Sequence, residues 1–392
     1  MYVVLLNWKA AENDPFTAFN ATLADYLRAC GKPSKIVELT SNSWVSDIVD
    51  IMQDGIDFVF SWQGIGTDCL VGEKRQNFWD NIKVPLISYH GDHPCHMPSY
   101  HALDSRYCAH IYAYPEYSLY ANRHFRKQSR SISLQMPLLC SEPPFGSRKG
   151  DFFVLPKNTL SPFVLEGQWK QHYSERLFGL HMAAAETLRP LLAREPHLDV
   201  HAVLDRFLDT QGDHEIRAVK NPDEYHLFHS KLDSYARCYK AELVLDELKD
   251  IPLKIVGSGW DHYAKCSNKN HEFFSANNVV DNQFQYYSRY GIIDITPTHT
   301  GIHDRQCRAM HNETPFISSG FLPGFLPNLG EYSSLFYTFT KDDLREKCEA
   351  IISDPESHAE LARDFSHQYQ SRIHPSEFVW KLDSIARSID RT

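Results

Sequence analysis

Short apolar runs alternate with amphipathic stretches from Tyr2 to about Gln135. Each apolar run has the length of one β-strand, and the first intervening stretch carries apolar residues at helical spacing. This alternation predicts βαβ units and a doubly wound parallel sheet. The predicted strands are Tyr2 to Leu6, Lys35 to Leu39, Asp57 to Ser61, Val84 to Ser88, His110 to Ala113 and Ser131 to Leu134.

The second half of the chain predicts a similar sheet, interrupted by a long helical region. One apolar segment, Phe152 to Leu155, comes before that region, which extends to about Asp250. A second strand is predicted at Leu253 to Val256, and Thr340 is predicted to cap a later helix. The remaining elements are a strand at Ile292 to Ile295, a helix at Asp304 to Asn312 and a strand at Pro315 to Ile317.

Prolines, glycines and basic residues cluster between Pro137 and Gly150, a composition typical of a linker between domains. We therefore predict two Rossmann-like domains, residues 1–145 and residues 150–375. A last helix, residues 376–392, is predicted to pack back on the first domain. In open α/β sheets, ligands bind outside the carboxyl ends of the strands, so we expect the functional residues at a cleft between the two domains.

Composition excludes several classes of protein. The net charge of −10 and the lack of a long basic run disfavour nucleic acid as a partner. No apolar stretch reaches the length of about 20 residues that a membrane span needs, so no integral membrane segment is expected. The nine cysteines are odd in number and form no CxxC pair, which favours reduced thiols and a cytoplasmic location.

Histidine is unusually frequent, at 21 residues, and several histidines follow the predicted strand that ends at Ser88. His90 and His93 flank Asp92, and a histidine beside a carboxylate is the usual arrangement of a general base. Two other interpretations remain open. The three residues match the last three ligand positions of the HxHxDH run of metallo-β-lactamase-like hydrolases, although Ser88 stands at the first histidine position. They could also bond to the backbone in turns.

Two further segments follow predicted strands of the second domain. Gly257, Gly259 and Trp260 come directly after one strand, where glycines either let a ligand approach the backbone or form a structural turn. The second segment leads into a helix, and its amide groups and basic side chains suit a diphosphate. Its candidate residues are Thr300, Gly301, His303, Arg305 and Arg308, of which the two arginines could instead form salt bridges on a solvated face.

The stretch from Thr300 to Ser319 resembles the C-terminal signature of group 1 and spore-maturation-type (CgeB-like) glycosyltransferases of the GT-B fold. In that group a helix beginning R-x-F-E-A-(L/M)-A-C-G-x-P precedes a strand, and the matching residues here are Arg305, Ala309, Met310 and Pro315. The resemblance covers about residues 250 to 390 and includes a strand at Val279–Val280. Thr300 and Arg308 stand where many members have glutamates, and Glu313 replaces the customary glycine.

The resemblance implies an α/β protein with two Rossmann-like domains facing a central cleft. It implies a metal-independent, hexosyltransferase-like enzyme that needs no cofactor besides its nucleotide-diphosphate sugar. The acceptor, a glycan, protein or small molecule, is expected on the N-terminal domain, with His90 or His93, paired with Asp92, as the base. The donor is expected on the C-terminal domain, with Arg305 as a phosphate contact. The other expected donor residues are Lys157, Gly257, Gly259, Trp260, Thr300, Gly301, His303 and Arg308.

Two alternative functions stay open at this point. A metal-dependent hydrolase would be centred on His90, Asp92 and His93. A non-catalytic protein that binds a sugar nucleotide or glycan is suggested by the absence of both glutamates.

Overall fold

A computed structural model describes residues 1–8, 15–73, 76–102, 105–125, 130–135, 137, 150–195, 198–212, 219, 221–264, 268–275, 288–297, 300–320 and 329–389. The chain divides into two compact units. Unit 1 comprises Met1–Glu142 together with Tyr369–Thr392, and unit 2 comprises Pro143–Gln368. Among the residues described, no helix combines the length and apolar character required to cross a bilayer.

Unit 1 contains eight strands and six helices among its described residues. The strands are β1 (Tyr2–Asn7), β2 (Ser34–Glu38), β3 (Ile56–Trp62), β4 (Leu70–Val71), β5 (Gln76–Asn77), β6 (Leu86–His90), β7 (Cys108–Tyr112) and β8 (Arg130–Ser133). The helices are α1 (Pro15–Ala29), α2 (Trp44–Asp54), α3 (Phe78–Ile82), α4 (Pro98–His101), α5 (Pro115–His124) and, from the end of the chain, α14 (Pro375–Ser388).

The main sheet of unit 1 is parallel and has the strand order β2-β1-β3-β6-β7-β8. Its central strands are almost continuously buried, as expected where helices cover both faces of a parallel sheet. Phe60 and Ile87 belong to the core on one face, whereas Val59 and Leu86 belong to the core on the other. Polar side chains are therefore expected mainly at the strand ends.

Helix α14 completes one of these two cores. Its residues Phe378, Val379, Leu382 and Ala386 are buried in the same cluster as residues of α1, β3 and β6. The ammonium group of Lys32, just beyond α1, lies 2.6 Å from the carboxylate of Asp383. Apolar contact and an ion pair thus hold the last helix on unit 1.

Unit 2 has a parallel five-stranded sheet with the order β11-β10-β9-β12-β13. Its strands are β9 (Phe153–Pro156), β10 (Leu253–Val256), β11 (His271–Phe274), β12 (Ile292–Asp294) and β13 (Phe316–Ser318). Its helices are α6 (Pro162–His172), α7 (Glu175–Leu192), α8 (Val200–Asp209), α9 (Pro222–Glu247), α10 (Asp261–Ala264), α11 (Asp304–His311), α12 (Asp343–Ser353) and α13 (Pro355–Arg372), which ends in unit 1. A 3₁₀ helix spans Leu329–Leu335.

The structure confirms the predicted strands of the described regions, with ends that differ by up to a few residues. One difference matters for function, because β6 extends to His90 instead of ending at Ser88. Thr340 is not a helix cap: its hydroxyl lies 2.6 Å from that of Thr338, and α12 begins at Asp343. The predicted strand at Val279–Val280 and most of the predicted linker lie outside the described residues.

Replacing Leu382 by alanine should destabilise unit 1 by about 2–5 kcal/mol, because the side chain is fully buried between α14 and the sheet. Equilibrium urea unfolding followed by circular dichroism measures the change. Trp380→Ala is the matched control on the same helix, since that side chain is 66% exposed and should alter stability by less than about 0.5 kcal/mol. Equal effects of the two substitutions would contradict the packing of α14.

Candidate active site

An ion pair between Asp294 and Arg305 lies at the carboxyl edge of the unit 2 sheet. Asp294 is the last residue of β12 and is completely buried. Its carboxylate accepts hydrogen bonds from Arg305 Nε at 2.7 Å and from Ser318 Oγ at 3.2 Å. Arg305 Nη2 donates to the carbonyl oxygen of Ile295 at 3.1 Å. Arg305, predicted as a phosphate contact, therefore uses one donor to bind the Asp294 carboxylate and another to bind the Ile295 carbonyl.

Asp294 was missed by sequence analysis, although the sequence carries a signal for it. The residue interrupts an otherwise apolar run, Ile292-Ile293-Asp294-Ile295. A carboxylate inside a buried strand needs a cationic or hydrogen-bonding partner, because an unpaired buried charge is very costly. Arg305 on the following helix is that partner.

Helix α11 begins beside this pair. His303 caps the helix: its side chain lies 3.4 Å from the backbone nitrogen of Arg305, and its own backbone N–H donates to Gln306 Oε1 at 2.7 Å. His303 Nδ1 is also 2.6 Å from the carboxylate of Asp304. Desolvation acts to raise the pKa of Asp304, but the surrounding charges of His303, Arg305 and Arg308 outweigh it and hold this pKa well below its usual range.

Lys157 follows β9, the strand that lies next to β12 in the sheet. Burial lowers the pKa of Lys157 to about 7, and the positive charges of Arg305 and Arg237 add to this effect while Asp294 opposes it. Its ammonium group therefore changes charge near neutral pH. A lysine with such a lowered pKa, among other charged groups at a sheet edge, is a candidate functional residue.

Gly257, Gly259 and Trp260 have structural roles in the described fold. A Cβ atom on Gly257 would lie 2.3 Å from the carbonyl oxygen of Lys157, and one on Gly259 would lie 1.6 Å from that of Thr159. Both glycines also have positive φ angles, of 151° and 85°. Trp260 is buried, and its indole N–H donates to the Lys157 carbonyl at 2.6 Å. These residues fix the loop that carries Lys157.

The other predicted donor residues surround the start of α11. Gly301 is buried with a φ of 95°, a left-handed conformation that favours glycine. Thr300 is partly buried immediately before it, and Arg308 is partly buried on the helix itself. We call Lys157, His303, Arg305 and Arg308, with the carboxylates Asp294 and Asp304, the charged cluster of unit 2. Its carboxylates balance much of the positive charge, and the charge of Lys157 changes near neutral pH.

In unit 1, His90 lies inside the sheet instead of in a loop. It is the last residue of β6 and is completely buried. Its Nε2 is 2.9 Å from Ser88 Oγ and 3.0 Å from His110 Nδ1. Because solvent does not reach this ring, His90 is poorly placed to take a proton from an incoming acceptor.

The predicted pairing of a histidine with Asp92 is wrong. His93 is also buried; its Nδ1 is 2.9 Å from Cys95 Sγ, and its ring contacts those of Tyr117 and Tyr120. The exposed carboxylate of Asp92 accepts a hydrogen bond from Gln63 Nε2 at 2.8 Å. Among the residues that the structure describes, the side-chain atoms of His90, Asp92 and His93 do not lie close enough together to hold one metal ion.

A cavity of about 500 Å³ opens where β1, β2, β3 and β6 end. Its lining is largely apolar and aromatic, with polar groups that include Asp92. Gln63 positions Asp92, because its amide oxygen accepts from the backbone N–H of Gly91 and its amide nitrogen donates to the Asp92 carboxylate. Sequence analysis missed the cavity because its residues follow four separate strands. They include Trp8, Phe16, Trp44, Gln63, Asp68, Asp92 and Tyr100.

Replacing Asp294 by asparagine should destabilise the protein by roughly 3–5 kcal/mol, since it leaves the partly buried Arg305 without its charged partner. Urea unfolding of the purified variant measures this loss. Asp342→Asn is the control, because the Asp342–Arg345 pair is 37% and 40% exposed and contributes at most about 1 kcal/mol. A loss no larger than that of the control would show that the buried pair does not stabilise unit 2.

No protein-family model matches the chain, and no curated protein sequence matches it. Among solved structures, T4 phage β-glucosyltransferase in complex with its UDP-glucose substrate is similar, with a TM-score of 0.50 and 8% identity over 98% of this chain and 99% of that one. A second structure of the T4 phage enzyme gives the same TM-score, identity and coverage. WaaG, a glycosyltransferase involved in lipopolysaccharide biosynthesis, gives a TM-score of 0.40 at 8% identity, over 98% of this chain and all of that one.

The similarity to the T4 phage enzyme extends over nearly the whole chain, whereas the sequence resemblance was confined to the second half. The spore-maturation subtype stays a prediction, since no family model supports it. The two units, each built on a parallel sheet flanked by helices, agree with this similarity. The chain has the GT-B fold, with two Rossmann-like domains.

Proposed function

We propose that this protein is a glycosyltransferase that moves a hexose from a nucleotide-diphosphate sugar to an acceptor hydroxyl. The observation that carries the proposal is the charged cluster at the carboxyl edge of the unit 2 sheet, where open α/β sheets bind their ligands. The fold supports it, because the T4 phage enzyme of similar fold was solved with UDP-glucose as its substrate.

The charged cluster would stabilise the departing diphosphate. Breaking the bond between the sugar and the phosphate leaves negative charge on the phosphate oxygens, and fixed positive groups lower the energy of that state. Arg305 is held in place by Asp294 and adds a fixed positive charge near Lys157. Lys157 would be the direct phosphate contact, since an anion beside it favours its protonated form. In this proposal no metal ion is required at the diphosphate.

The cavity of unit 1 would bind the acceptor. Its aromatic and apolar lining suits a flat or apolar surface on a glycan, protein or small molecule, with polar groups to orient it. Asp92 replaces His90 and His93 as the proposed base, because it is exposed, lines the cavity and is oriented by Gln63. Its carboxylate would accept the proton of the acceptor hydroxyl as that hydroxyl attacks.

Donor binding should depend on the charge of Lys157. Below its pKa of about 7 the side chain is protonated and attracts the diphosphate, so donor affinity should fall as the pH rises through about 7. At pH 8, where the free protein holds Lys157 mainly uncharged, binding should take up a proton. Calorimetric titrations of UDP-glucose, or of the nucleotide sugar selected by a thermal-shift panel, in two buffers of different ionisation enthalpy measure this uptake.

Lys157→Met should abolish the proton uptake and weaken donor binding about tenfold or more, the range expected for a lost charge-assisted hydrogen bond. Lys170→Met is the matched control, because Lys170 is exposed on α6 of the same unit. Added Mg²⁺ should leave the affinity unchanged. Failure of every nucleotide sugar to raise the melting temperature, or a Lys157→Met affinity within about twofold of wild type, would contradict the proposed donor site.

Asp92→Asn should lower kcat by about 10²–10⁴-fold, as expected for loss of a general base, while donor affinity stays close to that of wild type. The measurement is a rate of sugar transfer to an acceptor found by screening hydroxylated compounds with the identified donor. Asp68→Asn is the control, because this second carboxylate lines the same cavity. A larger loss in Asp68→Asn would assign the base to Asp68. Donor binding without transfer or donor hydrolysis would instead indicate a non-catalytic binding protein.

A further inference from the structure

Three buried histidines of unit 1 converge on one point in the core. His90 ends β6, His101 ends α4 and His110 lies within β7, and none of them is more than 3% exposed. The ring centre of His90 is 4.1 Å from that of His101 and 5.3 Å from that of His110. Each ring offers one nitrogen, and these three nitrogens all lie within 4.8 Å of one another. We call these residues the histidine triad.

More than one polar group lies beside a single ring nitrogen of His90. His90 Nε2 has two polar neighbours, Ser88 Oγ at 2.9 Å and His110 Nδ1 at 3.0 Å. An imidazole nitrogen carries either one proton or one lone pair in the plane of the ring, so it forms one strong hydrogen bond. In a tetrahedral zinc site, two bound nitrogens that are each about 2.0–2.1 Å from the ion lie about 3.4 Å apart. The observed distance from His90 Nε2 to His110 Nδ1, 3.0 Å, is close to this value.

The surroundings of the triad also match those of metal-binding histidines. The Nδ1 atom of His101 is 3.0 Å from the hydroxyl of Tyr112, a contact that orients the His101 ring. Ligating histidines almost always use their second nitrogen for such an outer hydrogen bond. The His90 ring also lies close to the loop that follows β3. A Cβ atom added to Gly64 in that loop would be 3.2 Å from His90 Cε1.

We propose that His90, His101 and His110 bind one divalent transition-metal ion in the core of unit 1. Three imidazole ligands favour Zn²⁺, or another first-row ion such as Co²⁺ or Ni²⁺, over Mg²⁺ and Ca²⁺, which prefer oxygen. The ion would join β6, α4 and β7, and a small ligand such as water would fill the fourth position of a tetrahedral site. The triad belongs to unit 1, whereas the proposed donor residues belong to unit 2. The site uses His90 with partners other than the predicted Asp92 and His93.

Elemental analysis of the full-length protein, purified without a polyhistidine tag after incubation with Zn²⁺ and gel filtration, tests this site. We expect about one zinc ion per chain, and removal by a chelator should lower the melting temperature reversibly. His101→Gln and His110→Gln should each lower the zinc content about tenfold or more. His96→Gln should not, because His96 lies in the same histidine-rich segment but outside the triad.

A measurement on the wild-type protein keeps the test valid if the variants do not fold, as judged by circular dichroism. X-ray absorption of the zinc-loaded protein should show about three imidazole nitrogens at roughly 2.0–2.1 Å. Absence of stoichiometric zinc, cobalt or nickel after loading would overturn the proposal. Retention of the metal by folded His101→Gln and His110→Gln variants, or a zinc coordination dominated by sulfur, would overturn it too.

Discussion

The constraint on which the structure depends is that the central strands of both parallel sheets are buried along nearly their whole length. Such strands accept a polar side chain only where it has a partner, and other polar groups are displaced to the carboxyl ends. Asp294 and His90 show both effects, because each is the last residue of its strand and each is bonded to a side chain from another element. The chemistry of both units therefore gathers at strand ends.

This constraint also explains what could be predicted from the sequence. Alternating apolar and amphipathic stretches predicted the strands and the parallel sheets, because they depend on local composition. His90 was not placed in the sheet because β6 continues past its predicted end at Ser88, through Tyr89 to His90, whose ring contacts Ser88 and His110 inside the core. The pairing of Asp294 with Arg305 was not predicted for a related reason: the carboxylate lies inside an otherwise apolar strand, and its contact with Arg305 depends on the fold. The unit 1 cavity depends on loops that are distant in sequence.

The charged cluster of unit 2 is preorganised by its own carboxylates. Asp294 fixes the guanidinium of Arg305, and Asp304 lies against His303, so these side chains do not have to be ordered when a ligand arrives. The same carboxylates reduce the net charge of the site. Because the pKa of Lys157 is lowered to about 7, an anion bound beside this residue increases its protonated fraction near neutral pH. Binding and protonation are thus coupled at one side chain.

Helix α14 belongs to unit 1, yet it follows all of unit 2 in the chain. Phe378 and Leu382 of this helix contact a surface formed by α1, β3 and β6. During synthesis, that surface leaves the ribosome more than two hundred residues before α14 does, a delay of roughly ten seconds or more. Unit 1 therefore cannot complete its core by folding first, as an N-terminal domain usually does. Unit 2 is synthesised between the two segments of unit 1, before the core of unit 1 is complete. Helix α14 packs on unit 1 only after both sheets have been synthesised.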